Sequence, residues 1–342
     1  MSKIFGFGII GCGVISKWHA DSIEQIEEAR IVGAYDTRIE GAKKFAEERN
    51  CRVFETLEEM LACDEIDVVC ICTPNGLHAK LAIQAANAGK NIIVEKPMAI
   101  TKEQVNDMIE AVERNKVKVA VISQLRFTNS IRRVKEAIDN GELGQIVIGD
   151  VYMKYFRSPE YYASAGWRGT WEMDGGGALM NQGIHGIDVL QYLVGPVKSV
   201  SGICKTLVRD IEVEDTASLT VEYESGAIGT IQGTTSVEPG YPRVIEISGT
   251  RGTVVLKEDV IIRWDLDGKE LDEKDIPKGN QESFRNPAGF DIENHKRQIK
   301  DLIDAVKEDR RPLVDVYEGK KPVDIILAAD ESSKTGKKVI LD

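Results

Sequence analysis

The stretch Ile4-Phe5-Gly6-Phe7-Gly8-Ile9-Ile10-Gly11-Cys12-Gly13-Val14-Ile15-Ser16 decides the fold. Residues 4–10 carry no charge and read as a strand. The turn behind them opens into a helix-forming run, 14–29. Strand, Gly-x-Gly turn and helix in that order make a dinucleotide-binding fingerprint. The first glycine permits the tight turn, and the second lets the backbone approach a pyrophosphate. Gly11, Gly13, Val14 and Ile15 would therefore line the cofactor. The third position packs helix against strand and here holds Ser16, which is small but departs from the ideal glycine.

Outward from this unit the same alternation repeats. Strands are expected at 31–35, 67–72, 91–94 and 117–122. Helices are expected at 38–49, 77–88 and 102–115, with Gly89 a left-handed stop for the second. Strands alternating with helices imply a parallel, right-handed, doubly wound sheet, a Rossmann fold over residues 1–123. A chain of 342 residues exceeds what one core usually supports. Residues 124–342 are accordingly expected to form a second, α/β domain for substrate and oligomerisation. After a helix at 132–138, strand-like runs at 147–155, 200–208, 217–223, 227–235, 243–249 and 253–256 predict an open, mostly antiparallel sheet. Glu224-Ser225-Gly226 reads as a hairpin tip. One helix, 181–193, interrupts the strands. Two more, 292–307 and 320–334, precede Val339-Ile340-Leu341 and are placed to pack back on the first domain.

The formal charge of −12 argues against a nucleic-acid partner, which needs a basic footprint. A helix N-terminus still binds phosphate locally. No apolar run approaches the ~18–20 residues of a membrane span, and Met1-Ser2-Lys3 leads into the first strand without a signal peptide. A cytoplasmic protein without a membrane partner is expected. The six cysteines have neither the pairing nor the histidine spacing of a metal site, so reduced thiols and no metal are expected.

The second strand ends at Asp36, a position whose carboxylate binds the ribose hydroxyls of NAD and repels a 2′-phosphate. NAD is favoured, and nearby Arg38 leaves NADP open. The strand 91–94 runs into Glu95-Lys96-Pro97. A charge at the carboxyl end of a parallel strand lies in the ligand crevice, and proline stops the ladder. Residues 174–188 read Asp-Gly-Gly-Gly-Ala-Leu-Met-Asn-Gln-Gly-Ile-His-Gly-Ile-Asp. In a helix starting near Leu179, Asn181 and His185 are i,i+4 neighbours, and Asp188 is near enough to orient the imidazole. Hydride transfer from a secondary alcohol needs a group to take the hydroxyl proton, and Lys96 with His185 can do so. Arg126, Tyr155, Arg157, Tyr161, Trp167 and Arg168 are candidates for a polar substrate pocket.

At these residues the chain resembles the Gfo/Idh/MocA family (glucose–fructose oxidoreductase, inositol dehydrogenase and relatives). The resemblance rests on Gly11-x-Gly13 with Trp18-His19-Ala20, and Cys72-Thr73-Pro74-Asn75 with His78. It continues through Glu95-Lys96-Pro97, Arg126-Phe127, Trp167-Arg168, and Gly175-Gly176-Gly177 through His185 to Asp188. It implies that Thr73, Pro74, Asn75 and His78 lie along the cofactor and that Glu95 and Lys96 flank the nicotinamide. Trp167-Arg168 would reach the cofactor or the substrate. It further implies an oxidoreductase acting on a secondary hydroxyl of a sugar, glycoside, sugar nucleotide or cyclitol. Asn181 stands where inositol dehydrogenase-like members carry aspartate, and an amide cannot act as a base. That puts more of the chemistry on Lys96 and His185. Two other readings stay open: a cofactor-binding regulator without turnover, and an enzyme that retains its cofactor and shuttles hydride between sugars. The open sheet face suggests a homodimer or homotetramer.

Overall fold

The computed structural model describes residues 3–266 and 292–341. The chain divides into two compact units, Met1–Gln124 with Asp291–Lys320, and Leu125–Phe290 with Lys321–Asp342.

The first unit opens with β1 (Phe5–Ile10), α1 (Val14–Glu24), β2 (Ala29–Tyr35), α2 (Ile39–Arg49), β3 (Arg52–Val53) and α3 (Leu57–Ala62). It continues with β4 (Val68–Ile71), α4 (His78–Asn87), β5 (Asn91–Val94), α5 (Lys102–Asn115) and β6 (Val119–Val121). Every strand pair is parallel, in the order β3-β2-β1-β4-β5-β6. This is the doubly wound sheet that the alternation implies. Its order reverses at β1, so the carboxyl ends of β1 and β4 open the crevice where such sheets bind ligands. The largest departures in length in this unit are α1, which ends at Glu24, with Ile26 buried before β2 starts, and β6, which spans three residues. Helix α3 was not anticipated. Thr56 and Glu59 form a reciprocal capping box at its start. Gly89, at φ +72°, closes α4 as expected.

The second unit holds α6 (Asn129–Asp139), β7 (Ile146–Lys154), α7 (Pro159–Ala163), α8 (Ile184–Val194), β8 (Val197–Lys205), β9 (Thr216–Tyr223) and β10 (Ile228–Thr234). Then come β11 (Val244–Gly249), β12 (Gly252–Lys257) and β13 (Val260–Leu266), the last unforeseen in the sequence. After α9 (Ile292–Lys307), which belongs to the first unit, and α10 (Val316–Thr335), β14 (Val339–Ile340) pairs with β8. The order is β13-β12-β11-β7-β10-β9-β8-β14, antiparallel throughout except for β7 beside β10. Ala217, Leu219, Val221 and Tyr223 of β9 alternate inward, as period-two patterning requires. Helix α8 lies close to β7. A Cβ on Gly149 would sit 2.6 Å from Val194, and one on Gly186 would sit 2.5 Å from Met153 Sδ. The sheet leaves Ile203, Ile228 and Ile262 more than half exposed. Among the described residues no helix is long and apolar enough to cross a membrane.

Candidate active site

In the first unit the crevice is built largely from main chain. Gly11 has φ +89°, and a Cβ there would lie 2.9 Å from the Cys72 carbonyl oxygen, so only glycine fits. Gly13 faces open space, with nothing within 4 Å of its missing Cβ. Ser16 is buried, and its hydroxyl donates to the Gly13 carbonyl at 2.7 Å, which holds the turn on the helix. Val14 is 71% exposed at the first helical position, whereas Ile15 packs against the core. At the end of β2 the Asp36 carboxylate accepts the Cys12 N–H at 2.8 Å and the Arg38 N–H at 2.8 Å. It is thereby fixed beside the glycine turn. Burial and the Asp36 charge push the Cys12 thiol up to about 12, so it stays protonated. Past β4, the Thr73 hydroxyl is buried without a hydrogen-bond partner.

Beyond β5 stand Glu95, half-buried Lys96 and Pro97. Glu95 Oε1 accepts from His19 Nε2 at 2.8 Å, and Oε2 accepts the Lys96 N–H at 3.3 Å. Burial alone would raise the Glu95 carboxyl. The His19 hydrogen bond, with the charges of His19, His295 and Lys96, outweighs burial and holds it at about 2. His78 is buried, with Nδ1 2.7 Å from the Pro97 carbonyl oxygen and Nε2 2.8 Å from that of Thr73. It clasps the loop after β4 to the loop after β5. Burial lowers its pKa against the pull of both carbonyls.

In the second unit the functional segment is a chain of side chains. A π-helical turn, Ala178–Gly183, carries Asn181 and Gln182 into α8 and His185. The Glu214 carboxylate grips that turn through the N–H groups of Gly177 and Leu179, each at 2.9 Å. Asn181 donates to Asp174 at 2.6 Å, and Asp174 also accepts the Gly169 N–H at 2.8 Å. Gln182 accepts from Arg157 at 3.0 Å and donates to the Tyr161 hydroxyl at 2.7 Å. That hydroxyl also accepts from Arg168. The Arg168 guanidinium stacks over Tyr161 and Trp167, 4.2 and 4.9 Å from the ring centroids. Its buried Nε has no partner.

Comparison with known proteins identifies the family. Residues 5–123 match the model of the oxidoreductase family with an NAD-binding Rossmann fold, and residues 131–255 match the GFO/IDH/MocA C-terminal domain. The chain belongs to the Gfo/Idh/MocA family of oxidoreductases. Inositol 2-dehydrogenase of Rhizobium meliloti is 30% identical over 256 residues, 72% of this chain and 74% of that protein. D-glucoside 3-dehydrogenase of Escherichia coli is 31% identical over 241 residues, 64% of this chain and 67% of that protein. Among solved structures, the WlbA dehydrogenase from Bordetella pertussis, in complex with NADH and UDP-GlcNAcA, is 33% identical. The match covers 99% of both chains at TM-score 0.89. The first unit of this Gfo/Idh/MocA protein fits NAD: the space over Gly13, the unpaired Thr73 hydroxyl and the fixed Asp36 carboxylate suit pyrophosphate and ribose.

Several residues expected in the site are engaged with other groups of the protein. Arg126 is 0% exposed and committed to Asp188, at 2.9 Å from Nε and 2.6 Å from a terminal nitrogen. It is an interior ion pair of the second unit, and it occupies the carboxylate expected to orient His185. The i,i+4 relation of Asn181 to His185 assumed one uninterrupted α-helix, which the π turn breaks. Tyr155 is buried against Arg243, and burial pushes its hydroxyl up to about 12. His78 has both ring nitrogens against main-chain carbonyls, and Glu95 points at His19. Sequence reasoning assigned no role to His19, His295, Asp174, Gln182 or Glu214. Asp174, directly before the glycine run, and His19, within the quoted Trp18-His19-Ala20, had a local signal.

Proposed function

We propose that this protein transfers hydride between NAD and a secondary hydroxyl of a nucleotide sugar that carries an acidic group. The observation that carries this reading is Arg168. Its guanidinium is stacked on two aromatic rings, and among the described residues it has no carboxylate partner and its buried Nε no hydrogen-bond partner. Arg157, 5% exposed and held to the Tyr155 and Tyr161 rings, adds a second cation. A planar fork of donors suits a carboxylate or phosphate. Similarity to a dehydrogenase bound to UDP-GlcNAcA supports the same class.

When bound, NAD supplies the hydride acceptor: alcohol and NAD go to ketone, NADH and one proton. Lys96 takes that proton from the hydroxyl, and its cation stabilises oxyanion charge developing there. Asn181, its amide turned by Asp174 and Gln182, and His185 bind and orient sugar hydroxyls on the second unit. Asp36 holds the adenosine ribose, and its carboxylate disfavours a 2′-phosphate, so NAD is preferred to NADP. The test follows NADH absorbance with NAD or NADP against UDP-GlcNAcA, neutral UDP-sugars, glycosides and inositols. The expected result is turnover of the acidic nucleotide sugar, abolished in Lys96→Ala, with KM raised about 10- to 100-fold in Arg168→Gln by loss of a charged hydrogen bond. Equal turnover of neutral sugars, or an unchanged KM in Arg168→Gln, overturns the substrate class. NADH binding with no turnover of any compound favours a regulator.

A further inference from the structure

Three of the four histidines, His19, His78 and His295, are buried to 1% exposure or less in the nucleotide-binding unit. His19 lies on α1, and its Nε2 is 2.8 Å from Glu95 Oε1. Its Nδ1 is buried without a partner, so the network assigns the proton to Nε2, toward the carboxylate. The ring has no room to turn, being fully buried and packed edge-on against His295, 5.9 Å between centroids. The second carboxylate oxygen accepts the main-chain N–H of Lys96 itself.

We propose that His19 and Glu95 are a positioning dyad for Lys96. The imidazole keeps the buried carboxylate ionised, and the carboxylate fixes the Lys96 backbone and supplies the negative charge that holds its ammonium. This rests on the reading of Lys96 as the proton-handling group. The physical reason is that a buried carboxylate without a strong donor takes up a proton. If it did so here, Lys96 would lose the charge of the neighbouring carboxylate and bind its own proton less tightly. The other titratable groups facing Glu95 do not replace His19. The Cys70 and Cys72 thiols are pushed far up by burial and stay neutral. His78 is clasped by two carbonyls, and His295, packed edge-on against His19, adds its charge to the effect of the His19 hydrogen bond. The dyad joins residues 76 positions apart.

The test reads Lys96 directly and needs no substrate. Lysines are reductively methylated with 13C-formaldehyde, the Lys96 signal is assigned by its loss in Lys96→Arg, and its titration is followed by NMR. In Glu95→Gln and His19→Leu the Lys96 midpoint should fall by about one unit or more, the effect of removing a nearby opposite charge. The exposed lysines stay unchanged as internal controls. His19→Gln, whose amide donates from the position of Nε2, should restore the native midpoint. NADH titration of each variant establishes that the fold is intact, and Glu95→Gln carries the test if His19→Leu does not fold. An unmoved midpoint in Glu95→Gln, or a His19→Gln protein that behaves as His19→Leu, overturns the dyad. Turnover that survives Lys96→Ala instead overturns the role of Lys96, whatever the midpoints.

Discussion

Glu95 in the nucleotide-binding unit and Glu214 in the second unit are buried almost equally, at 6% and 7% exposure. Their carboxyls nevertheless lie on opposite sides of the ordinary range, at about 2 and about 6. Burial pushes both upward. At Glu95 an imidazole donor and neighbouring cationic groups overcome it. At Glu214 the donors are main-chain N–H groups of Gly177 and Leu179, and the charge of Asp330 adds to the effect of burial. Peptide donors satisfy the hydrogen-bonding capacity of a carboxylate but bring no net charge to balance it. The first site is thus arranged around a maintained charge. The second is arranged around a shape, with a side chain holding a π-helical turn in place.

The largest expected effect comes from that shape. A Cβ at Gly177 would lie 1.8 Å from the Glu214 carbonyl oxygen. Gly177→Ala should cost about 3 kcal/mol or more of stability through overpacking and remove turnover, while NADH titration stays native-like. Gly11→Ala should do the reverse and remove NADH binding, because it meets both a φ of +89° and the Cys72 carbonyl. Equal loss of NADH affinity in the two variants would break the separation of roles.

The pH dependence of stability sharpens the contrast. The lowered Glu95 contributes stability that is present above the unfolded carboxyl value of 4.5 and is lost as pH falls toward about 2. The difference in unfolding free energy between native protein and Glu95→Gln should therefore shrink by about 3 kcal/mol on acidification. The raised Glu214 contributes most below 4.5, and that contribution is lost as pH rises through about 6. Native protein minus Glu214→Gln should therefore fall by about 2 kcal/mol in the opposite direction. Urea titrations across this range read both slopes, and slopes of one sign would remove the distinction. The smallest effect is expected at Gly13. With nothing within 4 Å of a new methyl group, Gly13→Ala should shift stability by less than about 0.5 kcal/mol yet weaken NADH binding.

Much of the nucleotide-binding unit was readable because its rules are short-ranged. An uncharged strand, a turn that only glycine can make, and the spacing from Gly11 to Asp36 operate within one βαβ unit, and the parallel sheet follows from the alternation. The bounds of β5 and α5 agree with the sequence reading to the residue. The capping box Thr56-x-x-Glu59 was legible and went unread. β3, two residues long, offers no periodicity to detect. In the second unit most periodic strands were legible, although β8 begins three residues before the expected 200 and ends at Lys205, and β13 was not foreseen. The interval from Phe156 to Gly183 was not, because its side chains hold one another through hydrogen bonds rather than through a repeating pattern.

Local sequence therefore settled most of the segments that are strands and helices and where the glycine turn lies, since steric limits on φ and the two periods act over a few residues. Packing decided how the charged groups are used. It gave Arg126 to Asp188, His78 to two carbonyls and His19 to Glu95. Apart from the Thr73 carbonyl, five residues before His78, those partners lie 19 to 76 positions apart, and their hydrogen bonds exist only once a core has excluded water and brought distant elements together.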